Sequence, residues 1–130
     1  MLKIRTFLRQ LTQKKQSFNK GQLAEEAAKV FLLSQKLSMI EQNFICKLGE
    51  IDLICLDNGV IVFVEVRYRQ DNSRGSAAQS IHLGKQKKVI KAAQYWLLIN
   101  HKQDTPIRFD AVLFDQVIDN EHLTWLKSAF

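Results

Sequence analysis

Apolar and polar positions switch period along this chain, and the switches outline its elements. From about residue 20 to 37, Leu23, Ala24, Ala27, Ala28 and Phe31 recur at helical spacing, behind Asn19, a residue type that caps helix N-termini. Residues 41–47 and 50–56 read as strands joined by a tight turn at Gly49. Asp57-Asn58-Gly59 is a hairpin signal leading into a third strand over residues 60–69. Gln70 to Gly84 is polar and small, the longest loop, and loops of that length in compact domains are often functional lids. A second helix over about 84–100 turns Val89, Ile90, Ala93, Trp96 and Leu97 inward. Pro106 precedes a fourth strand, Ile107 to Phe114, and the segment around His122 to Lys127 fits an edge strand. Strands in this order suit a mixed sheet flanked by helices.

Two carboxylates break the pattern. Asp52 is followed by Leu53, Ile54, Cys55 and Leu56, and Glu65 interrupts the apolar run from Val60 to Val66. An unpaired ionised carboxylate in such a strand costs several kcal/mol, on the order set by charge burial. Strand alternation puts Ile61, Phe63, Glu65, Arg67 and Arg69 on one face and Val60, Val62, Val64 and Val66 on the other. Glu50, Asp52 and Ile54 share a face of the preceding strand, and a hairpin sets Asp52 beside Glu65. Carboxylates so placed raise each other's pKa, which a divalent cation reverses. Oxygen-only donors favour Mg²⁺ or Mn²⁺. The bland alternative is a buried ion-pair network with Arg67, Arg69 or Arg108.

Length and composition narrow the setting. A chain of 130 residues makes one domain with a real core, and 46% hydrophobic against 25% charged residues excludes a disordered chain. The expected division is a basic N-terminal arm over residues 1–18 and a single domain over 19–130. No run is long enough to cross a bilayer, and Lys3, Arg5 and Arg9 interrupt the N-terminal apolar residues, so the cytoplasm is the expected compartment, with no membrane partner. Cys46 and Cys55 read as reduced thiols, and His82, His101 and His122 lack metal-ligand spacing. A net charge of +6 favours a polyanionic partner. Lys85, Lys87, Lys88 and Lys91 crowd the start of the second helix, where positive charge opposes the macrodipole by ~0.3–1 kcal/mol and a bound phosphate relieves it. Arg69 and Arg74, beside the long loop, extend that basic surface. Tyr95, Trp96 and Trp125 read as core residues rather than base-stacking platforms.

Asp52 followed by Glu65-Val66-Arg67 resembles the Asp…Glu-x-Lys signature of the PD-(D/E)XK, or restriction-endonuclease-like, superfamily, with Arg67 in the Lys position. More closely, Gly21-Gln22-Leu23-Ala24-Glu25, Asn43, Gly49-Glu50-Ile51-Asp52-Leu53-Ile54, Phe63-Val64-Glu65-Val66-Arg67 and Arg108-Phe109-Asp110 resemble the YraN-like family of small bacterial proteins assigned to that fold. The family tends to carry Arg two residues after its Asn; Ile45 stands there in this chain. The resemblance implies an α/β, restriction-endonuclease-like three-layer fold with a mixed central sheet of four to five strands flanked by helices. It implies metal-dependent hydrolysis of phosphodiesters in nucleic acid, DNA rather than RNA and including branched DNA. Asp52 and Glu65 become ligands of Mg²⁺ or Mn²⁺, with the Val66 carbonyl a third. Glu25 becomes an outer ligand or water-orienting base, and Gln86 a residue reaching the site from its helix. Arg67 is then an electrostatic holder of phosphate and not a base, because a guanidinium stays charged. Cutting both strands calls for a homodimer. The rival readings are a catalytically inactive nuclease-fold protein that binds nucleic acid, and a protein-interaction subunit.

Overall fold

The computed structural model describes residues 19–130, so the basic arm expected over residues 1–18 lies outside the described residues. Helix α1 spans Lys20–Ser34. Its start is a capping box in which the Asn19 side chain accepts from the Gln22 N–H at 2.8 Å and the Gln22 side chain accepts from the Asn19 N–H at 3.0 Å. Strand β1 then runs Ser38–Cys46, β2 Gly49–Asp57 and β3 Val60–Arg69. A short 3₁₀ turn at Ala78–Ser80 precedes helix α2, Leu83–Ile99, followed by β4, Ile107–Asp115, and β5, Leu123–Leu126. Helix α1 is shorter and β1 starts earlier than the pattern predicts. Lys36 takes a left-handed conformation (φ 72°) that ends the helix, and Ser38–Ile40 extend as strand.

The strands form one sheet in the order β1-β2-β3-β4-β5, with β3 and β4 parallel and the other neighbours antiparallel. Helix α2 is the crossover that a parallel pair requires. Alternation along β3 builds the two cores. Val62, Val64 and Val66 face α1, packing with Leu53, Cys55, Val112 and Phe114 against Ala24, Ala27, Ala28 and Leu32. Ile61 and Phe63 face α2 and meet Val89, Ala93 and Trp96. The result is the expected three-layer α/β arrangement, an open five-stranded mixed sheet with a helix on each face. Among the described residues no helix is long and apolar enough to cross a membrane.

Two hairpins set the register around the carboxylates. Asn58 and Gly59 both take positive φ between paired Asp57 and Val60, as a primed two-residue turn requires. Lys47 and Leu48 make the other loop, between paired Cys46 and Gly49. Gly49 is needed there because this hairpin presses on α2: a Cβ on Gly49 would lie 2.8 Å from the Lys88 carbonyl oxygen. Both cysteines are free thiols, and the Cys55 group is pushed up to about 12 by burial.

The long loop departs from expectation. Its second half is anchored, with Ala77, Ser80 and Ile81 buried and the Ala77 N–H donating to Asp115 Oδ1 at 2.8 Å. Residues 70–74 form a continuously exposed tip, and the anchored second half makes this segment a buttress beneath it.

Gly49→Ala is expected to destabilise the fold by about 1–3 kcal/mol, the range for overpacking a closed contact. The check is a urea unfolding midpoint, which should fall with an unchanged slope; an unaltered midpoint would show that the hairpin does not bear on α2.

Candidate functional site

Pairing between β2 and β3 runs from Asp57–Val60 to Leu53–Val64 and stops there. The next residues in register are Asp52 and Glu65. The Asp52 side chain takes up the ladder's role: its Oδ2 accepts the Val66 N–H at 2.8 Å. Strict alternation also fails at this point. Ile51 and Ile54 both pack into the core beneath α2, although period two assigns them to opposite faces. On the neighbouring strand Asn43 takes φ 53°, a local left-handed kink. Thus the simple assignment of Glu50, Asp52 and Ile54 to one regular face does not hold; an irregular strand delivers Asp52 into the gap between β2 and β3.

Glu65 sits beside it, 1% exposed and among the most deeply buried side chains of the molecule. Its Oε1 lies 3.7 Å from Lys85 Nζ, from the first turn of α2, and 3.9 Å from Arg67 Nη1. No protein group donates to its Oε2. Burial, then the neighbouring Asp52 charge, push the Glu65 carboxyl up to about 8. Asp52 is raised as well, chiefly by burial and against the lowering effect of the Val66 N–H. The two carboxyls titrate as a pair, and burial with their mutual repulsion disfavours ionising both at once. Glu25, on α1, is pushed up to about 7 by burial and by the charge of Asp52, and its Oε1 is buried without a partner. It lines a small pocket of about 100 Å³ with Gln22, Asn43 and Leu53.

The predicted residues divide clearly. Glu25, Asp52, Glu65, Arg67 and Lys85 converge, and Val66 supplies the backbone contact. Arg67 is held: its Nε donates to Ser80 Oγ at 2.8 Å, and that hydroxyl donates to the Ala77 carbonyl at 2.6 Å. Lys85 belongs to the carboxylate pair and is partly withdrawn from solvent, whereas Lys87 and Lys88 are exposed. Lys88 shares a cleft of about 310 Å³ with Gly49, Glu50 and Lys85. Arg69 leaves its buried Nε unpaired at the end of β3, and Arg74 is exposed at the loop tip. Gln86 does not reach the site; its side chain donates to the Ile81 carbonyl at 3.1 Å. Arg108 is no counter-ion to the pair either, being engaged with Asp57 and Asp110.

Ser80 escaped the sequence argument, as did the packing of Gly49 against α2 and the left-handed kink at Asn43. A serine in a polar loop carries no periodic signal, and the need for glycine at 49 arises only where a hairpin meets a helix.

Among the described residues no three His, Cys, Asp or Glu side chains close on one point as a preformed cage. What the gap offers is two carboxylates, one with a buried oxygen lacking a donor, together with backbone oxygens. That set fits a hard cation that keeps most of its own water, as Mg²⁺ does.

Residues 24–114 match the family described as "Uncharacterised protein family UPF0102". A UPF0102 protein of Marinomonas sp. strain MWYL1 is 52% identical over 120 residues, 92% of this chain and 94% of the relative. One from Nitrosomonas europaea is 46% identical over 112 residues, covering 86% and 93%. One from Janthinobacterium sp. strain Marseille is 42% identical over 128 residues, 98% of both chains.

The raised carboxyls carry a signed expectation. Between about 4.5, the ordinary glutamate value, and about 8, the folded Asp52–Glu65 pair retains a proton that the unfolded chain has lost. Stability should therefore fall as pH rises through that window. Thermal midpoints recorded across the window in EDTA should decline, and Glu65→Gln should flatten the decline; an identical slope in the variant would contradict the assignment.

Proposed function

The chain belongs to the uncharacterised protein family UPF0102, the YraN-like family its motifs resemble, and on that footing we propose that it is a metal-dependent nuclease acting on phosphodiester bonds in nucleic acid, DNA above all. The observation that carries this reading is the buried, donor-less Glu65 Oε2 beside Asp52, at the point where two strands part. A purely structural carboxylate would be expected to find donors for both oxygens.

Asp52 and Glu65 would hold Mg²⁺ or Mn²⁺. The Val66 carbonyl would join them, since it lies on the same side of β3 as the N–H that Asp52 engages. When bound, the ion supplies Lewis-acid activation of water and of the scissile phosphate. The protein's own groups do the rest. The Val66 N–H fixes the Asp52 carboxylate and leaves its other oxygen for the ion. Ser80 fixes the Arg67 guanidinium, so a permanent positive charge stands beside Glu65 where phosphate charge would develop. Lys85 adds a second cation from α2. Glu25, with a carboxyl near 7, is suited to orient water and take up a proton at neutral pH. Lys87, Lys88, Arg69 and Arg74 extend a basic surface for the polymer's backbone. Cutting both strands would require two copies.

A second reading follows from Arg67 itself. A guanidinium cannot act as a base, so a member retaining the site but not the chemistry would bind nucleic acid without cutting it.

The test is incubation of linear duplex, single-stranded and four-way-junction DNA with Mg²⁺ or Mn²⁺, comparing the native chain with Asp52→Asn. Cleavage should require the metal and fall by on the order of 100-fold or more in the variant. Product formation equal in both proteins would mark a contaminant and sink the nuclease assignment, leaving the binding-only reading to direct affinity measurement.

A further inference from the structure

Beyond the cleft of Glu50, Lys85 and Lys88 the molecule exposes an apolar surface that no core residue needs. Ile45 is 71% exposed, and Leu48, Leu98 and Ile99 are each near half exposed. Together with Phe44 and Tyr95, Ile45, Leu48 and Ile99 wall an open groove of about 690 Å³ between the β1–β2 hairpin and the outer side of α2. Scattered exposed aliphatics are ordinary, but a contiguous patch marks a binding surface. Tyr95 was expected in the core; instead it lies on the groove's surface, 41% exposed, and stacks on Phe44 with centroids 6.4 Å apart and planes 28° from parallel.

We propose that this groove receives an unpaired base of the nucleic-acid strand whose phosphates lie at the carboxylate site, an inference that rests on the nucleic-acid reading above. Several features favour a base over another occupant. The ring of Tyr95 is backed by Phe44 and so is held as a platform, the surface on which a base of any identity stacks. The rim is cationic: Lys47 lines the groove, and Lys91 and Lys88 lie one and two helical turns before Tyr95 on α2. The groove also runs into the cleft of Lys85, Lys88 and Glu50, because Ile45 and Cys46 line both. Lys85 and Tyr95 are separated by about 15 Å of helix. The stacked base is therefore a few nucleotides from the phosphate at Asp52 and Glu65, and it selects strands with an open end, a flap or a branch.

Sheet extension by a second copy fits this edge poorly. Strand β1 carries a register shift between Met39 and Glu41 and a left-handed Asn43, irregularities that blunt an edge against pairing. Ile45 gives the groove an apolar wall and shares its lining with Tyr95.

The experiment is fluorescence anisotropy in EDTA with a blunt duplex and with the same duplex carrying a single-stranded tail that contains 2-aminopurine. The tail should tighten binding and the 2-aminopurine emission should be quenched. Tyr95→Ala should remove about 10-fold of the tail-dependent affinity while leaving blunt-duplex binding in place, and Tyr95→Phe should restore it. A tail that adds no affinity, or a tail effect untouched by Tyr95→Ala, would overturn the groove assignment yet leave the nucleic-acid reading standing if the blunt duplex still binds. Failure to bind either DNA would overturn both. A stable dimer in sedimentation that Ile45→Asp dissociates would give the groove to a second copy and overturn the proposal as well.

Discussion

The structure turns on one hydrogen bond, from the Val66 N–H to Asp52 Oδ2, made where β2 and β3 separate. A ladder that stops inside a sheet leaves backbone groups that burial would penalise by about 1–3 kcal/mol each. Asp52 satisfies one of them with a carboxylate, and in doing so brings its charge against Glu65. The surrounding architecture accommodates the resulting strain: α2 delivers Lys85 to Glu65, the buttressed loop delivers Ser80 to Arg67, and Gly49 lets the β2 hairpin sit close enough to α2 for the first of these contacts.

Asp110 provides an internal control for what a structural carboxylate looks like. It is fully buried, yet both oxygens are engaged: Oδ1 accepts from Arg108 Nε and the Ser128 N–H, and Oδ2 from Arg108 Nη2 and Trp125 Nε1, all within 3.0 Å. That network ties β4 to β5 and the C-terminal residues. Glu65, equally buried, meets its cations only at 3.7 and 3.9 Å and leaves Oε2 without a donor. The same chain therefore shows that it can satisfy a buried carboxylate completely and that at Glu65 it does not. The difference separates a fold element from a site more sharply than burial alone.

Much of this was legible in the amino-acid order. Hydrophobic period and turn chemistry place both helices and the first four strands, and Asp57-Asn58-Gly59 sets the hairpin that aligns Asp52 with Glu65. Charge in an apolar strand flags both carboxylates. What escaped depends on contacts between distant segments. The end of α1 and the early start of β1 follow from the conformation of Lys36, which no periodicity encodes. The break in alternation between Ile51 and Ile54 needs the kink at Asn43 on the neighbouring strand. The inward face of the Gln70–Gly84 loop follows from Asp115 and Arg67, far along the chain, and the exposure of Tyr95 follows from how far the β1–β2 hairpin reaches over α2.

Lys85 joins the fold to the chemistry. A lysine in the first turn of a helix is disfavoured by the macrodipole, and α2 has no acidic residue there to offset it. The offset comes instead from Glu65, across the layer, so the helix is docked on the sheet partly through the same carboxylate that a cation would engage. Any ion or phosphate arriving at Glu65 must then share that carboxylate with Lys85 and Arg67. Occupancy of the site would accordingly be felt at the start of α2, and from there along the lysines and Tyr95 that follow on the helix. In this chain the positive charge near Glu65 is divided between Arg67 on the strand and Lys85 on the helix; a single cation on the strand would concentrate it on β3 and leave α2 with one fewer reason to lie where it does.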